Sequence, residues 1–194
     1  NSKRYKKGVG IATCWYGCGN TALPNPSTIK IGLTNTGRIS LHQGATDIGQ
    51  GSNTVISQIT ADAIGVTITN LDLVSPDTFL TPDCGKTSAS RQTYVTGKAA
   101  YNAGLKLRSE ILRLSNMGHD SNIKIEQEKI KISNQDKKQI IDLSSLQLIE
   151  NNYVIVVEET YDPPTTSLDE NGQGIPYAVY GYGAQMAEIT IDTE

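Results

Sequence analysis

The 194-residue sequence has no run of about 18 or more apolar residues, so it predicts no transmembrane helix. It also lacks the excess of positive charge that favours nucleic-acid binding, because its net charge is −3. Hydrophobic residues make up 37% of the chain and charged residues 19%, which excludes an intrinsically disordered chain. No apolar segment follows the basic start at residues 1–7, so a secretory signal is not predicted.

Cysteine and histidine are scarce, with three and two copies. An odd number of cysteines does not suit a disulfide framework, and the cytoplasm is the expected compartment. Only Cys14 and Cys18 are closely spaced, whereas a zinc site would need a second such pair. We therefore predict no metal site, and we expect Cys14, Cys18 and Cys84 to be free thiols that are buried or partly buried. Two interpretations of His42 stay open, a hydrogen-bonded structural residue and a ligand.

Groups for acid, base or nucleophilic catalysis are not evident either. No Ser-His-Asp order stands out. Glu158 and Glu159 are adjacent on a predicted strand, so their side chains point to opposite faces and cannot act as a pair. The residues alone therefore assign no catalytic group.

Two loops rich in Gly, Ser and Thr are present instead, at residues 44–54 (the first loop) and 81–93 (the second loop), and each leads into a predicted helix. The start of a helix presents free backbone N–H groups and the positive end of the helix dipole, which together bind phosphate or another anion. Two such loops predict a ligand with several phosphate or polar groups. Within the first loop, we expect Asp47 to have a structural role, orienting loop amides or capping a turn.

Neither loop matches a common nucleotide-binding motif. Gly85-Lys86-Thr87 ends like a P-loop, but Leu80 stands where that motif needs its first glycine. Gly49-Gln50-Gly51 resembles half of a dinucleotide fingerprint, but it lacks the third glycine and follows a predicted hairpin.

Hydrophobic periodicity predicts an α+β fold in which antiparallel sheets pack on two main helices. The helices are expected at 53–64, with Gly65 as C-cap, and from Ser90 or Gln92 to 114. Strands and turns are expected as a buried strand and Gly-rich turn within 7–22, a hairpin of 28–33 with 38–42, a strand at 71–74, a meander over 122–142, a helical turn at 144–149 capped by Ser144 or Ser145, a strand at 153–160, and a final strand at 187–191 whose partner is missing or distant.

Several motifs together resemble the molybdenum-binding subunit of the xanthine dehydrogenase and aldehyde oxidase family. Gly49-Gln50-Gly51 matches a loop that opens a helix, and Asp77-Thr78 with Pro82 leads into the small-residue loop 87–93 as in that family. The aromatic-Gly-Ala stretch 180–184 matches a further strand. Residues 10–21 resemble a narrower branch, the anaerobic clostridial-type hydroxylases of purines and nicotinate.

This resemblance implies a molybdopterin cofactor with molybdenum, commonly in the cytosine dinucleotide form. It assigns cofactor binding to residues of both loops, namely Gly49, Gln50, Gly51, Ser52, Asn53, Ser90, Arg91 and Gln92. The first loop would contact the pterin and its phosphate, and the second would approach the dinucleotide. Ser88 and Ala89 would border the substrate pocket, and Tyr16 would line it by analogy with the narrower branch.

The resemblance also implies hydroxylation of an N-heterocycle or an aldehyde with oxygen from water. Electrons would leave through iron–sulfur clusters and FAD in partner domains or subunits. The general-base glutamate of the family is expected beyond residue 194, so no catalytic residue is assigned within the chain. Because the sequence has no initiator Met and stops within a pattern, we expect residues 1–194 to be a piece of the molybdopterin-binding domain, truncated at both ends and inactive alone.

Two hypotheses follow. The chain is either the cofactor-binding part of a molybdenum hydroxylase or a non-catalytic subunit-association module of the same fold. Retention of Gln50 together with residues 89–92 favours the enzyme. The expected partners are the remaining molybdopterin domain or subunit and the iron–sulfur and flavin subunits. Xanthine, other purines, nicotinate and aldehydes all stay open as substrates.

Overall fold

The computed structural model describes residues 4–20, 23–150 and 152–194. The chain divides into a smaller unit, residues 1–23 with 164–194, and a larger unit, residues 24–163. In chain order the elements are β1 (Tyr5–Cys18), β2 (Ser27–Thr34), β3 (Ile39–His42), α1 (Ser52–Ile64), β4 (Leu71–Val74), α2 (Gln92–Ser115), β5 (Asn122–Glu126), β6 (Lys129–Ser133), β7 (Lys138–Asp142), β8 (Tyr153–Tyr161) and β9 (Val179–Asp192). The predicted α+β class, with antiparallel sheets and two main helices, is confirmed.

A four-stranded sheet in the order β4-β3-β2-β8 forms one layer of the larger unit. The predicted hairpin is confirmed as β2 and β3, which pair antiparallel, while β4 adds to β3 in parallel. Ile29, Ile31 and Leu33 alternate along β2 and are wholly buried. Their period of two places them on one face, which therefore faces the core.

The two helices cover this sheet. Helix α2 packs on β2 and β8, and α1 packs on α2 and β4. Gly65 ends α1 at a φ of 84°, where its N–H reaches the carbonyl of Ala61, so the predicted C-cap is confirmed. Asn116 ends α2 in the same left-handed conformation. No helix within the described residues is long and apolar enough to cross a membrane.

The meander is confirmed as the three-stranded sheet β5-β6-β7. The predicted helical turn at 144–149 is instead a short 3₁₀ helix, Leu143–Ser145. Its cap is Asp142, whose carboxylate accepts the Ser144 N–H at 3.0 Å. The predicted Ser caps were wrong because a carboxylate stands directly before them and takes this amide.

The smaller unit contains a two-stranded ribbon of β1 and β9, which pair antiparallel from Tyr5 with Asp192 to Cys18 with Val179. The final strand is therefore longer than predicted, and its partner is the distant β1. The prediction that β1 is buried was wrong, because Ile11 and Trp15 are each 71% exposed. Thr21 and Ala22, at the end of that predicted segment, lie outside the described residues.

Candidate functional site

Free backbone donors mark the junction of the second loop with α2. The first helical hydrogen bond runs from the Val95 N–H to the Arg91 carbonyl, and no side chain caps the helix. Within the described residues, no acceptor meets the N–H groups of Gln92, Thr93 and Tyr94. These donors point along the helix axis at its positive end, the arrangement that binds anions.

The backbone just before this junction is strained. Ala89 and Ser90 are consecutive non-glycine residues with φ values of 52° and 54°. Each such conformation costs on the order of 1 kcal/mol or more, and such strain is concentrated at ligand-binding sites. The small side chains of both residues leave their backbone accessible.

Arg91 holds the second loop from inside. Its guanidinium is 1% exposed and donates to four carbonyl oxygens, those of Cys84 (2.5 Å), Lys86 (3.1 Å), Asn25 (2.9 Å) and Pro26 (2.8 Å). Burial lowers the pKa of this group, and the nearby acidic groups oppose that shift. The terminal nitrogens are thus used within the protein. The main chain of Arg91 is used as well, because its N–H donates to the Ser88 carbonyl at 3.3 Å and its carbonyl accepts from Val95. Among its polar atoms only the buried Nε has no partner within the described residues.

The side chain of Gln92 is also hydrogen-bonded within the protein. Its side chain is 4% exposed, and its Nε2 donates to the Lys86 carbonyl at 3.1 Å and to the Thr87 hydroxyl at 3.2 Å. Its Oε1 accepts from Thr96. The predicted contacts of Arg91 and Gln92 with a cofactor stay predictions, and within the described residues the backbone N–H of Gln92 is free for such a contact.

The first loop contains its own anion. The Asp47 carboxylate accepts the N–H groups of Gly49 at 2.9 Å, Gly51 at 3.3 Å and Asn53 at 3.0 Å. These bonds, led by that from Asn53, lower the pKa of Asp47. The expected structural role of Asp47 is confirmed. These three amides already donate to the Asp47 carboxylate, and their predicted binding of an external anion stays a prediction.

Gln50 bridges its own loop. Its Oε1 accepts the Ile48 N–H at 2.7 Å, and its Nε2 donates to the Thr46 carbonyl at 3.3 Å. Gly49 and Gly51 on either side have φ values of 103° and 80°, and a Cβ added to either would meet no atom within 4 Å. The glycines are therefore required by the backbone conformation, and open space lies above both.

The two loops meet. The Thr87 hydroxyl of the second loop donates to the Thr46 carbonyl of the first at 2.8 Å. Between them lies a cavity of about 390 Å³, lined by Ile48, Gln50, Thr87, Ser88, Ala89, Ser90, Arg91, Gln92 and Thr93. The structure thus brings together Gln50 and the whole predicted set from Ser88 to Gln92.

The other predicted site residues do not line this cavity. Ser52 is 2% exposed, and its Oγ has no partner within the described residues. Asn53 accepts from the Gln43 amide at 2.5 Å. Gly49 and Gly51 shape the loop through their backbone. Tyr16 is on β1 in the smaller unit, and its role stays a prediction.

His42 is the last residue of β3, shortly before the first loop, and Cys84 belongs to the second loop. Both ring nitrogens of His42 have protein partners, the Leu80 carbonyl at 3.0 Å and the Tyr153 hydroxyl at 2.8 Å. This geometry supports the structural interpretation of His42, and burial lowers its pKa. Cys84 is buried and donates to the Thr28 carbonyl at 3.1 Å.

The prediction of buried or partly buried thiols was wrong for Cys14, which is exposed. The described part of the chain contains no group of three or more Cys, His, Asp or Glu residues that could hold a metal ion.

Residues 1–194 match the sequence model of the molybdopterin cofactor-binding domain. The chain belongs to this family. Its likeness to the xanthine dehydrogenase molybdenum-binding subunit of Escherichia coli O157:H7 is 36% identity over 113 residues, 55% of this chain and 14% of that protein. It is 28% identical to the aldehyde oxidoreductase of Megalodesulfovibrio gigas over 191 residues, 97% of this chain and 18% of the relative. The resemblance to the xanthine dehydrogenase and aldehyde oxidase family is thereby confirmed.

Solved structures agree on the fold. The aldehyde oxidoreductase of Desulfovibrio gigas superposes with a TM-score of 0.68 at 24% identity, over 97% of this chain and 19% of that one. This chain of 194 residues spans less than a fifth of the length of each of these relatives.

The residues around the cavity fit part of a molybdopterin. Free amides at the start of α2 suit a phosphate, and the open space above Gly49 and Gly51 would admit a flat polar ring. The small side chains of Ser88, Ala89 and Ser90 leave the approach clear. The two loops therefore provide donors and space for the group that the family binds.

Proposed function

We propose that this chain is the cofactor-binding part of a molybdenum hydroxylase of the xanthine, purine or nicotinate dehydrogenase type. The observation that carries this proposal is the cavity in which Gln50 meets residues 88–92 beside the free amides of α2. The bound cofactor would supply the redox centre for hydroxylating an N-heterocycle, with water as the source of oxygen. The cytosine dinucleotide form is proposed, since two separate loops suit an extended ligand.

The residues of the chain have three roles in this proposal. The amides of Gln92, Thr93 and Tyr94 hold a phosphate at the positive end of α2. Gln50 uses one N–H of its amide within the loop, so its second N–H is available to the cofactor. Ser88 and Ala89 border the space for the substrate ring, and the role of Tyr16 in substrate binding rests on the family resemblance alone.

The rest of the enzyme is proposed to come from chain segments and subunits beyond these residues. They would supply the general-base glutamate, the remaining cofactor contacts, the iron–sulfur clusters and FAD, in a cytoplasmic complex. The ribbon supports such partners, because Val9, Ile11, Trp15 and Met186 are all more than 60% exposed on it. On this proposal residues 1–194 are inactive alone.

The test is a pair of variants at Ser90 in the assembled enzyme, Ser90→Asp and Ser90→Asn. Asp and Asn have the same shape and both tolerate a left-handed backbone, so they differ mainly in charge. A negative charge beside the phosphate should reduce molybdenum and acid-released CMP by at least about tenfold, the effect of 1.4 kcal/mol. Ser90→Asn should retain both. Equal contents in the two variants would contradict a phosphate at this position.

The subunit-association module is the second candidate, favoured by the same exposed ribbon. An assembled wild-type complex that contains neither molybdenum nor a nucleotide would support the module and exclude the enzyme. Trp15 offers a direct measurement of association, since it is the only Trp and is 71% exposed. Its fluorescence should shift to shorter wavelength when a partner covers the ribbon.

A further inference from the structure

One carbonyl oxygen joins the two loops. The Thr46 carbonyl accepts from Nε2 of Gln50 at 3.3 Å and from the hydroxyl of Thr87 at 2.8 Å. Thr46 and Gln50 belong to the first loop, and Thr87 belongs to the second. Gln50, which lines the cavity from the first loop together with Ile48, is thus tied through one acceptor to the second loop.

Buried polar side chains in turn orient the Thr87 hydroxyl. This hydroxyl accepts from Nε2 of Gln92 at 3.2 Å, so its proton is directed to Thr46. Gln92 accepts in turn from Thr96, whose hydroxyl lies 2.7 Å from that of Ser27 on β2. Ser27 and Thr96 are fully buried. A continuous polar chain therefore runs from the sheet, through α2, to the first loop.

The first loop is held together by its own hydrogen bonds, but much of it is exposed to solvent. Asp47 fixes its internal shape through three amides, while Ile48, Gly49 and Gln50 are exposed to solvent. Such a loop keeps its shape but can move as a body, because exposed backbone with few apolar contacts has low local stability. The hydrogen bond from the Thr87 hydroxyl to the Thr46 carbonyl restricts that movement.

We propose that Thr87 is a positioning residue for the cofactor. Its hydroxyl donates to the Thr46 carbonyl, which also accepts from Gln50. The Thr87 hydroxyl thereby fixes the distance between the Gln50 side chain and the small-residue backbone of the second loop. This inference rests on the proposed function, because the position of Gln50 has a consequence only if the cavity binds the cofactor. Thr87 touches no ligand in this role and acts through Gln50.

The first experiment is hydrogen exchange on the assembled protein with Thr87→Val and Thr87→Ser. Val has nearly the shape of Thr but no hydroxyl, whereas Ser keeps the donor. Amides in peptides covering 44–54 should exchange about two- to tenfold faster in Thr87→Val, the size expected for one lost hydrogen bond. Peptides from α2 should be unchanged, and Thr87→Ser should restore the wild-type rate.

A matched control removes a hydroxyl elsewhere in the larger unit. Thr36 is exposed, and its hydroxyl lies 2.9 Å from that of Thr34 in the turn between β2 and β3. Thr36→Val should leave the 44–54 peptides unchanged. Unchanged exchange of these peptides in Thr87→Val would overturn the proposal, as would equal acceleration over the whole chain.

A double-mutant cycle tests whether Thr87 acts through Gln50. Cofactor retention is measured, as molybdenum per protein after gel filtration, in Gln50→Ala, Thr87→Val and the double variant. Thr87→Val should lower retention several-fold in the wild-type background and cause no further loss beside Gln50→Ala. Independent, additive losses would overturn the route through Gln50. If the wild-type complex holds no molybdenum, the proposed function fails, whereas the exchange experiment still tests the link between the loops.

Discussion

The carbonyl oxygen of Cys84 accepts a hydrogen bond of 2.5 Å from Nη1 of Arg91. The same guanidinium also donates to the carbonyls of Lys86, Asn25 and Pro26. A planar fork with several donors can serve acceptors on both of its sides. The Arg91 side chain thus fixes the backbone of the second loop through two of its carbonyls. It also links the start of α2 to the segment before β2.

Arg91→Lys should therefore destabilise the protein. A lysine ammonium concentrates its three donors on one nitrogen and cannot reach carbonyls spread along a guanidinium. Buried acceptors would lose their partners, and we expect the free energy of unfolding to fall by roughly 2–4 kcal/mol in urea titrations. Arg113→Lys is the control, since Arg113 lies on the exposed face of α2 and pairs with Glu110. Equal stabilities of the two variants would show that the buried fork contributes little.

Arg91 also shows which contacts a sequence pattern does not report. The stripe of Val95, Ala99 and Leu107 predicts α2 correctly, because a helix places residues three and four apart on one face. For Arg91 the family resemblance implies cofactor binding, which stays a prediction. One of its four acceptors, the Asn25 carbonyl, is 66 residues away in the sequence, and no local pattern reports such a contact.

At the ribbon the sequence prediction was wrong. Apolar residues at Val9, Ile11 and Trp15 predict a buried strand, but pairing with β9 covers only one edge of β1 and neither of its faces. Among the loops, the small-residue pattern locates the cavity and indicates Asp47 as structural. The link from Thr87 to Thr46 spans 41 residues, and a threonine among other hydroxyl residues gives no signal for it.

Stability should depend on pH through His42. Burial is the main reason for its lowered pKa, and Lys30 adds to this shift, while the Leu80 carbonyl and Glu150 oppose it. The unfolded chain binds a proton near the ordinary pKa of about 6.5, but the folded protein resists it. The free energy of unfolding should therefore fall as the pH is lowered from about 7 through 6.5 and on towards the lowered pKa of the folded state, with most of the loss below 6.5 and a slope of at most about 1.4 kcal/mol per unit.

Urea titrations of His42→Gln and His119→Gln over that range test this expectation. Gln does not titrate, so His42→Gln should remove the slope, and His119→Gln, at an exposed position, should keep it. Carboxylates titrate at lower pH and contribute little in this window. A slope that survives in His42→Gln would assign the pH dependence to another group.

The three thiols should react with iodoacetamide in the order of their exposure. Cys14 is exposed and Cys18 is half-buried, whereas Cys84 is buried with a pKa raised by that burial. Because the thiolate is the reacting form, native Cys84 should be alkylated at least about tenfold more slowly than Cys14. Mass spectrometry of peptides gives the three rates, and urea should abolish the protection. Equal native rates at Cys14 and Cys84 would mean that the second loop opens readily.

Alanine substitutions at two glycines of α2 should change the stability of the protein in opposite directions. A Cβ at Gly104 would lie 2.7 Å from that of Ala63 on α1 and 3.1 Å from the Thr60 carbonyl, neither of which can turn away. At Gly97 it would meet only the flexible end of Ile59, at 2.9 Å. We expect Gly104→Ala to separate the helices and cost about 1–3 kcal/mol. Gly97→Ala should stabilise the protein by up to about 1 kcal/mol, because alanine is the better helix former. Thermal unfolding measures both, and equal gains would mean that the helices of this interface shift without cost.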